Sequence, residues 1–304
     1  MKDGSQQRTP IITDKHKEVI WAYVLTLPAF LILLMFHIGP ALSSFWYSLT
    51  KWNGLTAPEF VGFANFMALM KDGEFLHSVW NTILFVLGAV PLQVILATIF
   101  AVLLNMGLKG TGFYRTIYFL PVVTMLIAVG SIFRWLYNSE YGLINYLLGL
   151  LHLPQPQWLT DPGLLLFSII IAEVWHRMGY NLVILLAGLQ SIPRSLYEAA
   201  DIDGASIIQK FFNVTLPLLS PSLFFVIVIS LINSFQVFDL IFVMVGEHPS
   251  LLNETQSIVY KIYEEGFKFY NMGYAAAQSV VLFLMIFGVT LLQLYYQKKW
   301  VHYQ

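Results

Sequence analysis

Cysteine is absent from all 304 residues. That excludes disulfides, thiolate metal sites and cysteine nucleophiles together, and it leaves the redox compartment open. Charge is also scarce. Asp, Glu, Lys and Arg make up 11% of the chain, against about 25% in a soluble domain. The formal net charge of -1 offers no cationic face for nucleic acid. The seven histidines are scattered and form no H-E-x-x-H pair, so no metal site is expected. No internal repeat and no low-complexity tract is present. What is abundant is apolar: 58% of the residues are hydrophobic. A chain this short of polar surface points to lipid as its solvent.

A membrane span needs about 20 mostly apolar residues. Six segments qualify, at about Val19–Leu49, Val79–Met106, Phe113–Tyr137, Leu164–Gln190, Ser222–Gly246 and Tyr274–Gln297. Pro28 and Pro40 make the first a candidate for a kink. The polar start, residues 1–18, precedes an apolar run too long for a signal-peptide core, so a retained span is expected. This divides the chain into an N-terminal tail (1–18), a first helix with its outer loop (19–78), a core of five helices (79–297) and a C-terminal tail (298–304).

Cationic residues in the flanks set the orientation. Lys2, Arg8, Lys15, Lys17, Lys109, Arg115, Arg194, Lys210, Lys298 and Lys299 fall on one side. Lys51, Lys71, Lys261 and Lys268 fall on the other. Both termini are therefore expected in the cytoplasm, with the Asn138–Gly163 connection outside. Trp46, Tyr47 and Trp52 suit an aromatic belt at the outer interface.

The longest polar interruption on the cytoplasmic side is Ser191–Pro221. Ser195 can cap a short helix, with Glu198 reaching back to its amide. Gly204 suits the left-handed residue that ends such a helix. Ala199 and Ala200 give it a low profile that another protein can approach. An amphipathic stretch, Ile207–Val214, follows, and Leu216-Pro217 is expected to end it where the fifth span begins.

Glu198-Ala199-Ala200, Gly204, Val214 and Leu216-Pro217 together resemble the loop shared by permease subunits of binding-protein-dependent ABC importers. Tyr114-Arg-Thr-Ile-Tyr-Phe-Leu-Pro121, Gln190-Ser-Ile-Pro-Arg194 and Phe60-Val-Gly-Phe-Ala-Asn-Phe66 resemble the carbohydrate-uptake branch. The stretches Ile258–Phe267 and Ala275–Val281 resemble its glycerol-3-phosphate permeases. The architecture also resembles maltose permeases, without the large outer domain inserted there. Two departures are Val214 in place of the usual Ile, and Met244-Val-Gly-Glu-His-Pro249 in place of a glycine-rich stretch.

The resemblance implies an all-α polytopic membrane protein with six transmembrane helices in the type I importer (MetI-like) permease fold, in a bacterial or archaeal cytoplasmic membrane. It implies that Arg194, Leu196, Glu198, Ala199, Ala200, Asp203, Gly204, Leu216 and Pro217 form the coupling loop, which docks on an ATPase. The implied partners are a second homologous permease subunit, two ATPase subunits and an extracytoplasmic substrate-binding protein. ATP and Mg belong to the ATPase subunits, and no cofactor is expected in this chain. Gly107 and Gly112 have P-loop spacing, but Phe113-Tyr114 replaces Lys-Ser/Thr.

Polar groups within the spans are the other candidates. A charge at the bilayer centre costs about 2.5–3.5 kcal/mol on insertion scales. Glu173 and Arg177 are four apart in the fourth span and can pair. Trp175, His176, Tyr180 and Asn181 lie beside them. Ser230 and Ser234 share a face of the fifth span, with Asn233 and Gln236 on another. Glu173, Trp175, Arg177, Tyr180, Asn181, Ser230 and Ser234 are candidates for the substrate route. A structural ion pair and helix-binding hydroxyls are the competing readings. Gln93 and Gln278 read as helix-packing groups, and Arg134 as an interfacial residue. The resemblance gives no single substrate, because an arginine suits a phosphate while Trp175 and Tyr180 suit a sugar ring. The alternative function is a secondary transporter or channel acting without an ATPase. A membrane enzyme would need a catalytic constellation, and the spacing offers none.

Overall fold

The structure is a computed structural model that describes residues 11–107, 110–246 and 249–301. Lys2, Arg8 and Lys109, used above for orientation, lie outside these residues, as do Glu247 and His248. The chain is almost wholly helical. Among the described residues, five helices are long and apolar enough to cross a membrane: Lys17–Ser48, Gly73–Asn105, Pro162–Gln190, Ile207–Phe235 and Met272–Trp300. A further apolar pair, Thr111–Val123 and Leu126–Leu136, meets at 99° and makes a sixth when counted as one span. In chain order these six are called spans one to six.

The third span, expected at about Phe113–Tyr137, is broken near its middle. Pro121 opens a tight turn at Leu120–Val123, and Thr124 and Met125 are extended. The fourth span holds the break open. A Cβ on Gly179 would lie 1.9 Å from the Tyr118 carbonyl oxygen, so the two backbones touch there. Three residues earlier, His176 Nε2 donates to the Thr124 carbonyl at 3.2 Å. That bond satisfies an acceptor which the break takes out of the helix.

The fifth span also differs from expectation. Its helix starts at Ile207, well before Ser222, and ends at Phe235; Gln236–Phe238 then lead to a short helix, Asp239–Val245. Leu216-Pro217 does not end the preceding stretch. The helix passes through it by widening to a five-residue turn at Phe211–Thr215, where the Leu216 amide reaches the Phe211 carbonyl. A proline lacks the amide for a normal bond and crowds the carbonyl four residues back, and a wide turn relieves both. The first span uses the same device. Leu34–Ile38 is a wide turn placed directly before Gly39-Pro40.

Spans two and four pack along their length, with span five against both. Small residues allow the close approach, as is general in membrane bundles. A Cβ on Gly88 would meet Ile170, and one on Gly188 would meet Ser222. Two apolar cores result. One joins Val90, Ala97, Leu182, Leu186, Leu219 and Ala277. The other gathers Val129, Phe133, Ile169, Leu240 and Met244 around the second half of the broken span. The first span touches the bundle only near its end, where Phe45 meets Phe283 edge-on.

One end of the bundle carries the short helix Arg194–Ile202, and is called the elbow end. The opposite, hairpin end holds a two-stranded antiparallel ribbon that pairs Thr50 with Phe60 and Lys51 with Glu59. Asn65 Nδ2 ties it down through the Ser48 and Thr50 carbonyls, at 2.8 and 2.9 Å. Tyr47 stacks on Trp52 in the same region.

Candidate functional site

The elbow is built around Arg194–Ile202. Its start corrects the expected capping box. Pro193 stands at the entry, Ser195 falls inside the helix, and neither Ser195 nor Glu198 makes a capping bond. Proline has its φ preset for this position, so the helix begins two residues earlier and Glu198 is released to the surface. The capping box is found at the next turn. Gln209 N donates to Ser206 Oγ at 3.3 Å, and Ser206 N donates to Gln209 Oε1 at 2.8 Å.

The other end of the helix follows the sequence reading. Gly204 has φ +72°. The Ala205 amide reaches back to the Ala200 carbonyl at 2.9 Å and the Gly204 amide to Asp201 at 3.1 Å. This pair of bonds is a Schellman motif, which needs a left-handed residue where Gly204 stands. Arg194, Leu196, Glu198, Ala199 and Asp203 are all exposed, and Ala200 is half-buried. Leu196 is 41% exposed, Ile202 88% and Ile207 71%. These apolar side chains stand uncovered at the elbow, beside the exposed Arg194, Glu198 and Asp203. Leu216 and Pro217 are half-buried in the helix of span five, away from this surface.

The mid-bundle group lies on spans four and five. Arg177 Nε donates to Glu173 Oε1 at 3.0 Å; the carboxylate is buried and the guanidinium half-buried. Asn181 Nδ2 donates to Ser230 Oγ at 3.0 Å, and Gln93 Nε2 to Ser234 Oγ at 3.5 Å. Asn181, Ser230 and Ser234 are buried and join spans two, four and five. Trp175 and Tyr180 are exposed, with Trp175 edge-on to Phe133. The candidates thus separate into an inner bonded set and an outward set of Trp175, Arg177 and Tyr180.

The hairpin end carries a polar network that the sequence reading did not find. Lys261 is 3% exposed. Its Nζ lies 2.6 Å from Glu74 Oε2 and 3.6 Å from both Glu264 and Glu265. Tyr274 Oη donates to Asp72 Oδ2 at 2.7 Å, and Asn271 Nδ2 to Glu265 Oε2 at 2.9 Å. Burial pulls the Lys261 pKa down, but the Glu74 hydrogen bond and the three carboxylate charges outweigh it and hold it above 10.5. A raised lysine pKa stabilises the fold fully at neutral pH, and the contribution fades only as pH climbs through the raised value. Lys261→Met strands the partly buried Glu264 and Glu265 while Glu74 keeps its water, so it should cost less than the ~3–5 kcal/mol of a fully buried pair. Thermal melting in detergent at pH 7 measures this. Adding Glu264→Gln and Glu265→Gln to the variant should restore most of the loss, and an unshifted melting point for Lys261→Met would contradict the network's role.

Residues 60–302 match the family model described as "Binding-protein-dependent transport system inner membrane component". The sn-glycerol-3-phosphate transport system permease protein UgpA of Pectobacterium atrosepticum is 36% identical over 285 residues, spanning 93% of this chain and 95% of that one. The trehalose/maltose transport system permease protein MalF of Thermococcus litoralis is 35% identical, over 92% and 94%. A chain from the crystal structure of a bacterial alginate ABC transporter in complex with an alginate pentasaccharide-bound periplasmic protein shares the fold. Its TM-score is 0.83 at 21% identity, covering 94% of this chain and 96% of that one. Matched along nearly its whole length by relatives of this one kind, and folded as a multi-pass bundle with an exposed elbow, the chain belongs to the inner-membrane components of binding-protein-dependent transport systems.

Proposed function

We propose that the chain is one of two homologous permease subunits of an ATP-driven importer, and that it passes a sugar or sugar phosphate delivered by an extracytoplasmic binding protein. ATP hydrolysis takes place on two separate ATPase subunits, and this chain performs no catalysis and holds no cofactor. The observation that carries the reading is the uncovered helix Arg194–Ile202, with its glycine-locked end and open Leu196 and Ile202. Its sequence pattern is the one shared by ATPase-docking loops. The substrate class rests on the relatives, which are permease proteins of sn-glycerol-3-phosphate and trehalose/maltose transport systems. Purified complex in liposomes, with binding protein outside and MgATP inside, tests it. Uptake of sn-glycerol 3-phosphate, maltose or trehalose that stops without ATP is expected. ATP-independent uptake of any of them would replace this reading with a secondary transporter.

Both termini and the elbow lie in the cytoplasm in this reading, supported by the cation count in the flanks. A cysteine placed at exposed Ser206 should stay unlabelled by an impermeant thiol reagent in intact cells and be labelled in inside-out vesicles. The chain's lack of native cysteine leaves no background. Labelling in intact cells would invert the topology.

The substrate route runs along Glu173, Trp175, Arg177 and Tyr180, with Asn181, Ser230 and Ser234 setting the distance between the helices behind it. Truncating one side of a buried pair costs about 3–5 kcal/mol, whereas replacing both sides can be nearly neutral. The Glu173→Ala/Arg177→Ala double variant should therefore assemble, and should transport poorly or with altered preference. Uptake per assembled complex is the measurement. Full recovery of uptake would leave the pair as scaffold.

A further inference from the structure

The helix Arg194–Ile202 is attached very differently to its two neighbours in the chain. Toward span four it hangs on a short hinge, Ser191–Pro193, whose last residue is extended (ψ 130°) and has no amide hydrogen. Among the described residues, no side-chain hydrogen bond or ion pair joins the helix to span four.

Toward span five there are two such links. Tyr197 Oη lies 3.1 Å from Thr215 Oγ1, and Asp201 pairs with Lys210. Thr215 Oγ1 is also 3.4 Å from the Lys210 carbonyl. One hydroxyl proton can serve only one acceptor, so Thr215 donates to that carbonyl and accepts from Tyr197. The intervening turn is closed by the Ser206–Gln209 capping box.

The two links land on either side of the wide turn Phe211–Thr215. Lys210 directly precedes it and Thr215 is its last residue. Single wide turns inside helices are frequent at functional positions. A cavity of about 180 Å³ at the elbow is lined by Val102 and Met106 at the end of span two, Leu189 of span four, and Tyr197 and Phe211. The Tyr197 ring also packs on the apolar core shared by the spans, but the elbow's side-chain hydrogen bonds go to span five, and the cavity leaves room beside spans two and four.

We propose that Tyr197–Thr215 and Asp201–Lys210 are twin struts that make the helix Arg194–Ile202 and the foot of span five a single lever. Displacement of the helix by an ATPase is then delivered to span five rather than span four. From there it reaches the bundle centre, where Ser230 and Ser234 bond Asn181 and Gln93. Tyr197, Asp201, Lys210 and Thr215 are positioning residues for coupling. This lever rests on the docking reading given above.

The cysteine-free chain permits a direct test by spin labelling. Two label pairs are placed in the full complex of permeases and ATPase subunits, with any cysteines of the other subunits replaced: Ser195→Cys with Phe212→Cys, and Ser195→Cys with Gln190→Cys. All three positions are exposed, and none belongs to the docking set. Distances are measured without nucleotide and after trapping with MgADP-vanadate. The 195–212 distance should stay narrow and unchanged on trapping, while the 190–195 distance should shift.

In Tyr197→Phe/Lys210→Met, the 195–212 distribution should broaden and uptake per ATP hydrolysed should fall, with ATPase subunits still bound. In the Tyr197→Phe background, the Asp201→Lys/Lys210→Asp exchange should narrow the distribution again. A merely structural role would lower assembly instead and would not respond to the exchange. A 195–212 distance that changes on trapping in the parent, or is unaltered by loss of both struts, overturns the lever. Absence of ATPase subunits from the purified complex overturns the docking reading instead, and is seen before any spectrum is taken.

Discussion

Gly179→Ala is expected to abolish the folded bundle. The added Cβ would lie 1.9 Å from the Tyr118 carbonyl oxygen and 2.7 Å from its carbon. Both are backbone atoms of the facing helix, so no side-chain rotation relieves the clash. Overpacking a core commonly costs about 1–3 kcal/mol. A backbone-to-backbone collision exceeds that range, because spans three and four must part and the His176–Thr124 bond is lost with them. Gly288→Ala is the control, since no atom lies within 4 Å of a Cβ built there. The measurement is the melting temperature and the monodisperse yield in detergent. Parent-like values for Gly179→Ala would mean that the two helices do not approach as described.

Gly204→Val and Glu198→Lys are expected to reduce substrate uptake to background while leaving the protein inserted and folded. Gly204 is surrounded by open space, so only its backbone conformation resists substitution. At φ +72° a β-branched residue is strained, and the Schellman closure would open. Asparagine tolerates the left-handed region far better, so Gly204→Asn should retain much of the uptake that Gly204→Val loses. Glu198 is free of capping duty and exposed. In the proposed docking, its reversal to lysine therefore acts on the ATPase contact and not on the helix. Uptake is measured against the amount of inserted chain. Normal uptake by both Gly204→Val and Glu198→Lys would remove the helix from the coupling path.

What could be read in the sequence was what depends on neighbours along the chain. Apolar length found the spans but started the fifth too late, at Ser222 instead of Ile207, and the Gly204 turn follows from residues 199–205 alone. The break in span three had a local signal, Pro121, but the mostly apolar length of residues 113–137 outweighed it. What holds the break open sits in span four, as a glycine facing the Tyr118 carbonyl and a histidine facing that of Thr124. The wide turn before Pro217 was hidden for a related reason, because proline signals a helix end unless the helix can widen. The capping box was misplaced by competition between two valid signals, and Pro193 prevailed over Ser195. The Lys261 network was invisible because its shortest bond joins residues 187 positions apart. Of the candidate route, the Glu173–Arg177 pair was legible from its four-residue spacing. The Asn181–Ser230 bond spans 49 positions and needed the fold.

The docking of Arg194–Ile202 on an ATPase can be tested at Leu196, which is exposed at the centre of the helix. A photoreactive amino acid placed there, in the intact importer in its native membrane, reports what the helix touches. The account predicts a cross-linked product with a nucleotide-binding ATPase subunit, and a yield that changes when MgATP is added. A chain that transports without ATP and cross-links at Leu196 only to lipid would contradict it.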